Sequence, residues 1–128
     1  MTQPPPTDAQ ATIQAWVAAF NQRQLDALCA LYAPDAVLWG TLATELITQP
    51  AGLRAYFERA LGPALDTTVA LIDAHEQAGA AAAVISGRYR LRFRHGAAWR
   101  EAPARYSFVL VSGAGGWVIR HHHSSLSP

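Results

Sequence analysis

Residues 116–125 read GWVIRHHHSS, an apolar stretch that runs directly into three histidines and two serines. This pattern predicts the closing strand of a sheet, in which successive side chains point to opposite faces about 3.3 Å apart. His121 and His123 therefore share one face, and His122 and Ser124 share the other. Either face can end in a cluster of polar groups at a cavity, so this strand is the first candidate for a functional site.

Three more strand-like segments precede this one and are separated from it and from each other by short turns. They cover residues 67–75, 80–94 and 99–112. Their alternating apolar residues and Gly-containing turns are typical of a β-meander. Because short turns join antiparallel neighbours, we expect an antiparallel sheet.

The first half of the chain has helical spacing instead. Thr7 is the predicted N-cap of a first helix with an apolar stripe, and a short second helix stops before Pro34. A third helix begins near Pro50, and a short apolar strand covers residues 36–39. Helices followed by a meander predict an α+β domain in which three helices cover the concave face of a curved antiparallel sheet.

Composition limits the function classes. The 128 residues are 51% apolar and 15% charged, which predicts a single globular domain over residues 7–128 behind a flexible N-terminal lead at residues 1–6. A net charge of +1 gives no general attraction to nucleic acid, and no apolar run is long enough for a membrane span. One cysteine, Cys29, excludes an internal disulfide and indicates a cytoplasmic setting.

The arginines give a second candidate site. In residues 86–94, tyrosine, leucine and phenylalanine alternate with four arginines: Arg88, Arg90, Arg92 and Arg94. The last three are interpreted as an exterior stripe, whereas Arg88 is expected to be partly enclosed. Arg105 shares a face with Val109 and Val111 and so looks buried, which demands either an internal carboxylate or a ligand anion as its partner.

The spacing of the histidines and serines gives less support to a metal site or to a catalytic nucleophile than to a binding site. Imidazoles at i and i+2 lie roughly 7 Å apart along a strand, which is wide for direct chelation. A third ligand would have to come from elsewhere: His75, Asp73 or Glu45. We therefore predict no metal and no cofactor. Ser124 lacks a nucleophile elbow, but acid–base chemistry by a histidine stays open, with Tyr32, Tyr56, Asp35, Asp73 or Glu45 as its partner.

The chain resembles the nuclear transport factor 2-like superfamily (SnoaL-like, cystatin-like), a group of cone-shaped α+β domains. Within it, the sequence is most similar to the association (hub) domain of calcium/calmodulin-dependent kinase II and its small bacterial relatives. The segments that carry the resemblance are LYAPDAVLWGT at 31–41, Tyr56-Phe57, GRYR at 87–90, ARYSFV at 104–109 and the closing residues 117–125.

This resemblance implies a homodimer formed sheet to sheet, with a pocket between each sheet and its helices. In the hub domain, arginines line that pocket, which can hold a small carboxylate. Arg88 and Arg105 match two of those arginine positions, and Ser124 occupies a third. The superfamily also contains isomerases, dehydratases and cyclases, so the fold alone does not select a reaction.

We therefore predict a homodimeric pocket domain that binds a small organic anion without catalysis. The predicted ligand-binding residues are Arg88, Arg105, His121, His123, Ser124, Trp39, Tyr56 and Phe57. The arginines would supply charge, the histidines and Ser124 hydrogen bonds, and the aromatic residues the walls. One alternative is a SnoaL-like enzyme (isomerase, cyclase or hydrolase) with histidine-centred acid–base chemistry, and another is an oligomerisation module with a vestigial pocket.

Overall fold

A computed structural model describes residues 7–128, and the predicted flexible lead at residues 1–6 lies outside the described residues. Three helices and five strands follow in the order α1 Ala9–Asn21, α2 Leu25–Ala30, β1 Tyr32–Trp39, α3 Pro50–Leu61, β2 Thr68–Gln77, β3 Ala82–His95, β4 Ala98–Gly113 and β5 Gly116–Leu126. The predicted α+β class, with helices in the first half and a meander in the second, is confirmed.

The N-cap of helix α1 lies one residue later in the sequence than predicted. Asp8, and not Thr7, is the N-cap, and its carboxylate accepts a hydrogen bond of 2.7 Å from the backbone N–H of Ala11. The apolar stripe of α1 then buries Ile13, Trp16 and Phe20 against the sheet. This stripe places an indole N–H inside the core, where it needs an acceptor.

The five strands form one sheet in the order β1-β5-β4-β3-β2. The meander β2 to β5 is antiparallel, as predicted, but β1 pairs parallel to β5. The first strand is also longer than the predicted 36–39, because it starts at Tyr32 and runs through Pro34. An edge strand tolerates a proline, since one row of its backbone groups needs no partner.

The sheet has an inner face, covered by the helices, and an outer face, which no described helix covers. All five strands contribute buried side chains, and the three central strands contribute most of them: Ala83, Ile85 and Tyr89 of β3, Ala104, Tyr106, Phe108 and Leu110 of β4, and Ile119, His122 and Ser124 of β5. Their neighbours in sequence occupy the outer face by strand alternation. No helix within residues 7–128 is long and apolar enough to cross a membrane.

Candidate functional site

A β-bulge decides which histidine of β5 faces the core. Ile119 pairs with Leu110 of β4, and His121 pairs with the adjacent residue Val109. Arg120 therefore has no backbone partner on β4, and the alternation of side chains in β5 shifts by one residue. Without this shift, His121 would point inward together with Ile119. With it, His122 is the histidine that enters the core, where its side chain is buried.

Both ring nitrogens of His122 are engaged by tyrosine hydroxyls. Tyr32 Oη lies 2.8 Å from Nδ1, and Tyr89 Oη lies 3.3 Å from Nε2. Trp16 Nε1 donates a hydrogen bond of 3.0 Å to Tyr32 Oη. The polar groups of four elements, α1, β1, β3 and β5, are thereby joined in one buried chain.

Aromatic rings enclose the imidazole of His122. The ring of Phe108 stacks on it at 4.0 Å between centroids, and the indole of Trp16 meets it edge-on at 5.5 Å. The pKa of His122 is lowered to about 3, chiefly by this burial and to a smaller extent by the neighbouring His121 and His123. The imidazole is therefore neutral near pH 7. Burial also raises the pKa of Tyr32 well above its usual value.

A small cavity adjoins this chain between the sheet and helices α1 and α3. Its enclosed volume is about 30 Å³, which is room for one or two water molecules. The polar groups at its wall belong to His122, Tyr89, Ser124, Thr41 and Thr67. No charged residue of the described chain lines it. Its chemistry is that of an apolar space with neutral hydrogen-bonding groups.

Two hydroxyls meet at the mouth of the cavity. Ser124 Oγ and Thr41 Oγ1 are hydrogen-bonded to each other, and both residues line the cavity together with Tyr89. On another part of the wall, Thr67 is buried and its Oγ1 has no hydrogen-bond partner in the described chain. A buried hydroxyl without a partner is costly, so this position can accommodate a water or a polar atom of a ligand.

The segment after β1 closes the cavity. Residues 40–42 line it together with Tyr56 of α3. The Tyr56 ring packs directly on Gly40, where a Cβ would overlap the ring, and its hydroxyl accepts a hydrogen bond of 3.3 Å from Leu42 N. Glycine is required here because the backbone and the ring approach so closely.

A second, larger cavity of about 260 Å³ lies between α2, β1 and α3. Cys29, Tyr32, Gln49 and Leu53 are among its lining residues. Cys29 is half-buried, and its pKa is raised chiefly by burial, so its thiol is not an activated nucleophile. Despite its size, this cavity lacks the convergent polar groups of the smaller one.

The structure brings only three of the predicted ligand-binding residues to the cavity at His122. Ser124, Tyr56 and Phe57 line it. His121 and His123 point to the outer face, beside Val109 and Ser107 of β4. The predicted set therefore combines side chains from two opposite faces of β5.

Trp39 also lies on the outer face. It pairs with His123 across β1 and β5, and its side chain is 41% exposed. The prediction that it forms a wall of the pocket places it on the wrong side of the sheet. The strand that carries it is parallel to β5 and alternates with Leu38, which is fully buried.

The two predicted pocket arginines lie opposite each other on the outer face. Arg88 of β3 pairs in register with Arg105 of β4, and both are exposed. The expectations that Arg88 is partly enclosed and that Arg105 is buried are wrong, because Tyr89 and Ala104 are the inward residues. Asp73 pairs with Arg88 at 2.7 Å, and its pKa is lowered chiefly by that hydrogen bond.

Residue patterns could have indicated part of the missed site. His122 shares strand parity with Ser124, and Tyr89 shares the apolar face of Leu91, so both could be grouped from alternation. Nothing in the sequence, however, indicates that Tyr32 and Trp16 come together on one histidine. That meeting depends on the parallel pairing of β1 with β5 and on the bulge at Arg120.

The arrangement can bind, orient and exchange hydrogen bonds without charge. A neutral imidazole between two hydroxyls donates through one nitrogen and accepts through the other. Within residues 7–128, no group of three or more His, Cys, Asp or Glu side chains is placed to hold a metal ion. The described cavity also contains no carboxylate that could serve as a base.

Comparison with known proteins agrees with this architecture. The family model of the SnoaL-like domain matches residues 9–128. No curated protein matches the sequence significantly.

Several solved structures share the fold. A protein from Xanthomonas campestris, named as a candidate calcium/calmodulin-dependent protein kinase II association domain, is 26% identical with a TM-score of 0.82, covering 99% of this chain and 94% of its own. A protein from Caulobacter vibrioides with a cystatin-like fold is 17% identical with a TM-score of 0.80, covering 93% and 87%. A candidate dehydratase of the nuclear transport factor 2-like family from Streptomyces avermitilis is 11% identical with a TM-score of 0.82, covering 93% and 94%.

Proposed function

The chain belongs to the SnoaL-like domain family, and from this premise we propose that it binds a small, uncharged and largely apolar molecule, as a homodimer and without catalysis. The observation that carries this proposal is the neutral chain through His122 at the wall of an apolar cavity. Family members share a fold and differ in chemistry, so the side chains of this cavity have to identify the ligand class. We propose the cytoplasm as its setting, since Cys29 is a free thiol.

The lining argues for an uncharged ligand over the predicted anion. Arg88 and Arg105 are exposed on the outer face, and no arginine of residues 7–128 lines the cavity. His122 cannot replace them, because its pKa of about 3 keeps the ring neutral. A carboxylate in this space would lose its hydration without gaining a cation, which is strongly unfavourable.

The cavity has to expand to admit a ligand larger than water. About 30 Å³ is enclosed when the side chains are arranged as described. The segment at residues 40–42 covers it through few contacts: the Thr41–Ser124 hydroxyl pair and the bond from Leu42 N to Tyr56. Irregular segments with few buried contacts open at low free-energy cost, so displacement of this segment is the expected route.

Ligand-observed and protein-observed NMR with two five-membered-ring probes tests the proposal. We expect the neutral probe cyclopentanone to shift the resonances of Leu42, Phe57 and Ser124 in a saturable way. Cyclopentanecarboxylate should leave those resonances unchanged. If the carboxylate alone binds, and shifts Arg88 or Arg105, the predicted anion site is restored. If neither probe shifts the cavity residues, the oligomerisation module with a vestigial pocket is the better description.

The outer face supports the proposed homodimer. Its β1, β3, β4 and β5 strands present an uncovered group of partly exposed apolar residues: Val37, Val84, Val109, Val111 and Val118. Trp39 extends this group at one edge. Contiguous apolar surface of this kind is expected to be covered in a partner interface.

Light scattering coupled to gel filtration tests the dimer. The wild type is expected at twice the chain mass of 13.8 kDa. Val109→Glu places a charge in the apolar group of the outer face and should give a monomer that remains folded. Leu46→Glu, at an exposed apolar position in the segment before α3, is the matched control and should remain dimeric. A monomeric wild type contradicts the proposal.

Histidine-centred catalysis has less support from the geometry. His121 and His123, the candidates for that chemistry, lie on the outer face away from the cavity. His122 reaches the cavity, but both of its nitrogens already have partners and its pKa lies far from neutral. A general acid or base works best with a pKa near the working pH.

A further inference from the structure

We propose that the ligand of this cavity presents a hydrogen-bond acceptor, such as a ketone, ester or ether oxygen, and that a ligand offering only a donor binds several-fold more weakly. This inference rests on the proposed function of the same cavity. It follows from the direction in which the buried hydrogen-bond chain must run.

The direction is set at the inner end by Trp16. An indole N–H can only donate, so Tyr32 Oη accepts at that end of the chain. The proton of the Tyr32 hydroxyl then needs an acceptor of its own. Among the described residues, His122 Nδ1, 2.8 Å away, is the other hydrogen-bond partner of Tyr32 Oη. Tyr32 therefore donates to Nδ1.

This donation fixes the tautomer of His122. A neutral imidazole carries one proton, and Nδ1 is occupied as an acceptor, so the proton is on Nε2. Nε2–H then donates to Tyr89 Oη at 3.3 Å. The opposite tautomer would place two hydrogens between Tyr32 and Nδ1, and would leave one of them buried without an acceptor.

The same reasoning carries the direction to the cavity. Tyr89 Oη accepts from His122, and no other hydrogen-bond partner of Tyr89 Oη is present among the described residues, so its own proton is free toward the cavity that Tyr89 lines. Ser124 and Thr41 also line this cavity and are hydrogen-bonded to each other, so one of these two hydroxyls donates to the other and the proton of the accepting hydroxyl remains free as well. From Tyr32 to Tyr89, each group accepts from the inner side and donates toward the cavity.

Tyr89 is the last member of the chain, and its proton remains to be donated. Tyr89 is buried and lines the cavity. A ligand atom that meets this proton has to be an acceptor. Buried sites built to hydrogen-bond one chemical group reject an analogue that lacks it, because the site's polar group is then left unpaired.

Three neutral probe molecules with five-membered rings can test this inference separately from the proposed function. Cyclopentanone offers an acceptor, pyrrole offers an N–H donor without a comparable acceptor, and cyclopentane offers neither. By NMR titration we expect cyclopentanone to bind roughly five- to tenfold more tightly than the other two, the effect of one additional hydrogen bond. Equal affinities would overturn the acceptor inference while leaving the apolar pocket intact. Absence of binding by all three would contradict the proposed function itself.

Variants locate the effect. Tyr89→Phe removes the terminal donor with little change in shape and should reduce the affinity for cyclopentanone to that for cyclopentane. Thr41→Val removes one hydroxyl of the neighbouring Thr41–Ser124 pair and should reduce the same preference less. Ser107→Ala is the matched control, because its hydroxyl pairs with Ser86 at 3.0 Å on the outer face. A preference for pyrrole in the wild type would mean that the chain runs in the opposite direction.

The tautomer provides a readout that needs no ligand. Nitrogen NMR of the His122 ring should show a protonated Nε2 and an unprotonated Nδ1. A ring protonated on Nδ1 would overturn the inference whatever the probes do. Trp16→Phe removes the donor that sets the direction, so it is expected to produce a mixture of the two tautomers while His121 and His123 keep their wild-type signals.

Discussion

Arg88 and Tyr89 are neighbours on β3, yet they lie in opposite environments. The Tyr89 ring is buried on the inner face against Trp16, whereas the Arg88 side chain is 55% exposed on the outer face and paired with Asp73. The inner face has an uncharged polar chain within an aromatic core. The outer face has the arginines and the two partly or fully exposed histidines. Position relative to the helices, and not residue type, decides which groups can reach the cavity.

This contrast predicts that inner-face substitutions dominate stability. Phe108→Ala removes a fully buried ring that stacks on His122, and should lower the free energy of unfolding by about 3–5 kcal/mol. Trp99→Ala removes a larger ring from the outer face, where it is 38% exposed between Arg92 and Arg94, and should cost about 1 kcal/mol or less. Equilibrium urea unfolding measures both, and similar losses would remove the distinction between the faces.

His122 should make a large contribution to the pH dependence of stability. Its pKa is about 3 in the folded protein and 6.5 in a model peptide, so the unfolded state binds a proton first as the pH falls. The stabilisation is complete above about pH 6.5 and is lost progressively toward pH 3, by a few kcal/mol. Urea unfolding at a series of pH values should show this loss.

Two substitutions sharpen the assignment. His122→Gln should remove the loss of stability between pH 6.5 and 3, because glutamine does not titrate. His123→Gln, one residue away on the exposed outer face, should keep it. If the two variants show the same pH profile as each other, the inner position of His122 is not the cause.

A smaller effect distinguishes positions within the buried chain. Tyr32→Phe leaves two groups without a partner, Trp16 Nε1–H and His122 Nδ1, so we expect a loss of about 1–3 kcal/mol. Tyr106→Phe should cost less, since its hydroxyl donates to the Asp73 carbonyl in a hydrogen bond that is only part-buried. Thermal and urea unfolding of the two variants give the comparison, and an equal cost would argue against a cooperative inner chain.

Sequence patterns were sufficient for the class of fold and for the grouping of side chains by face in β3. The alternation there correctly separates Tyr89 from Arg88, because a two-residue period is a property of any strand. The same alternation does not say which of the two groups faces the helices. The choice of Arg88 and Arg105 as pocket residues displaced part of the expected site to the outside of the sheet.

The rest of the site depends on long-range pairing. Arg120 has no backbone partner on β4, and this bulge turns His122 instead of His121 toward the inner face. A bulge of this kind has no local sequence signal in this chain. Tyr32 reaches His122 because β1 lies parallel to β5, whereas short turns predict only antiparallel neighbours. These two features explain why the prediction missed the central histidine, His122, although Ser124, Tyr56 and Phe57 line the same cavity.

The smallest effect is expected where the predicted site was placed. Asp73→Asn removes the ion pair with Arg88, but both side chains are about half exposed and screened by water and salt. The lowered pKa of Asp73 stabilises the fold above the usual carboxyl pKa, and this contribution disappears as the pH falls and the carboxylate is protonated. We therefore expect a slight loss of stability at neutral pH and low salt that vanishes at high salt, together with unchanged binding of cyclopentanone. Urea unfolding at two salt concentrations and the NMR titration measure the two quantities. A change in the affinity for cyclopentanone would show that the charges of the outer face affect binding in the cavity. It would contradict the argument that the ligand is uncharged.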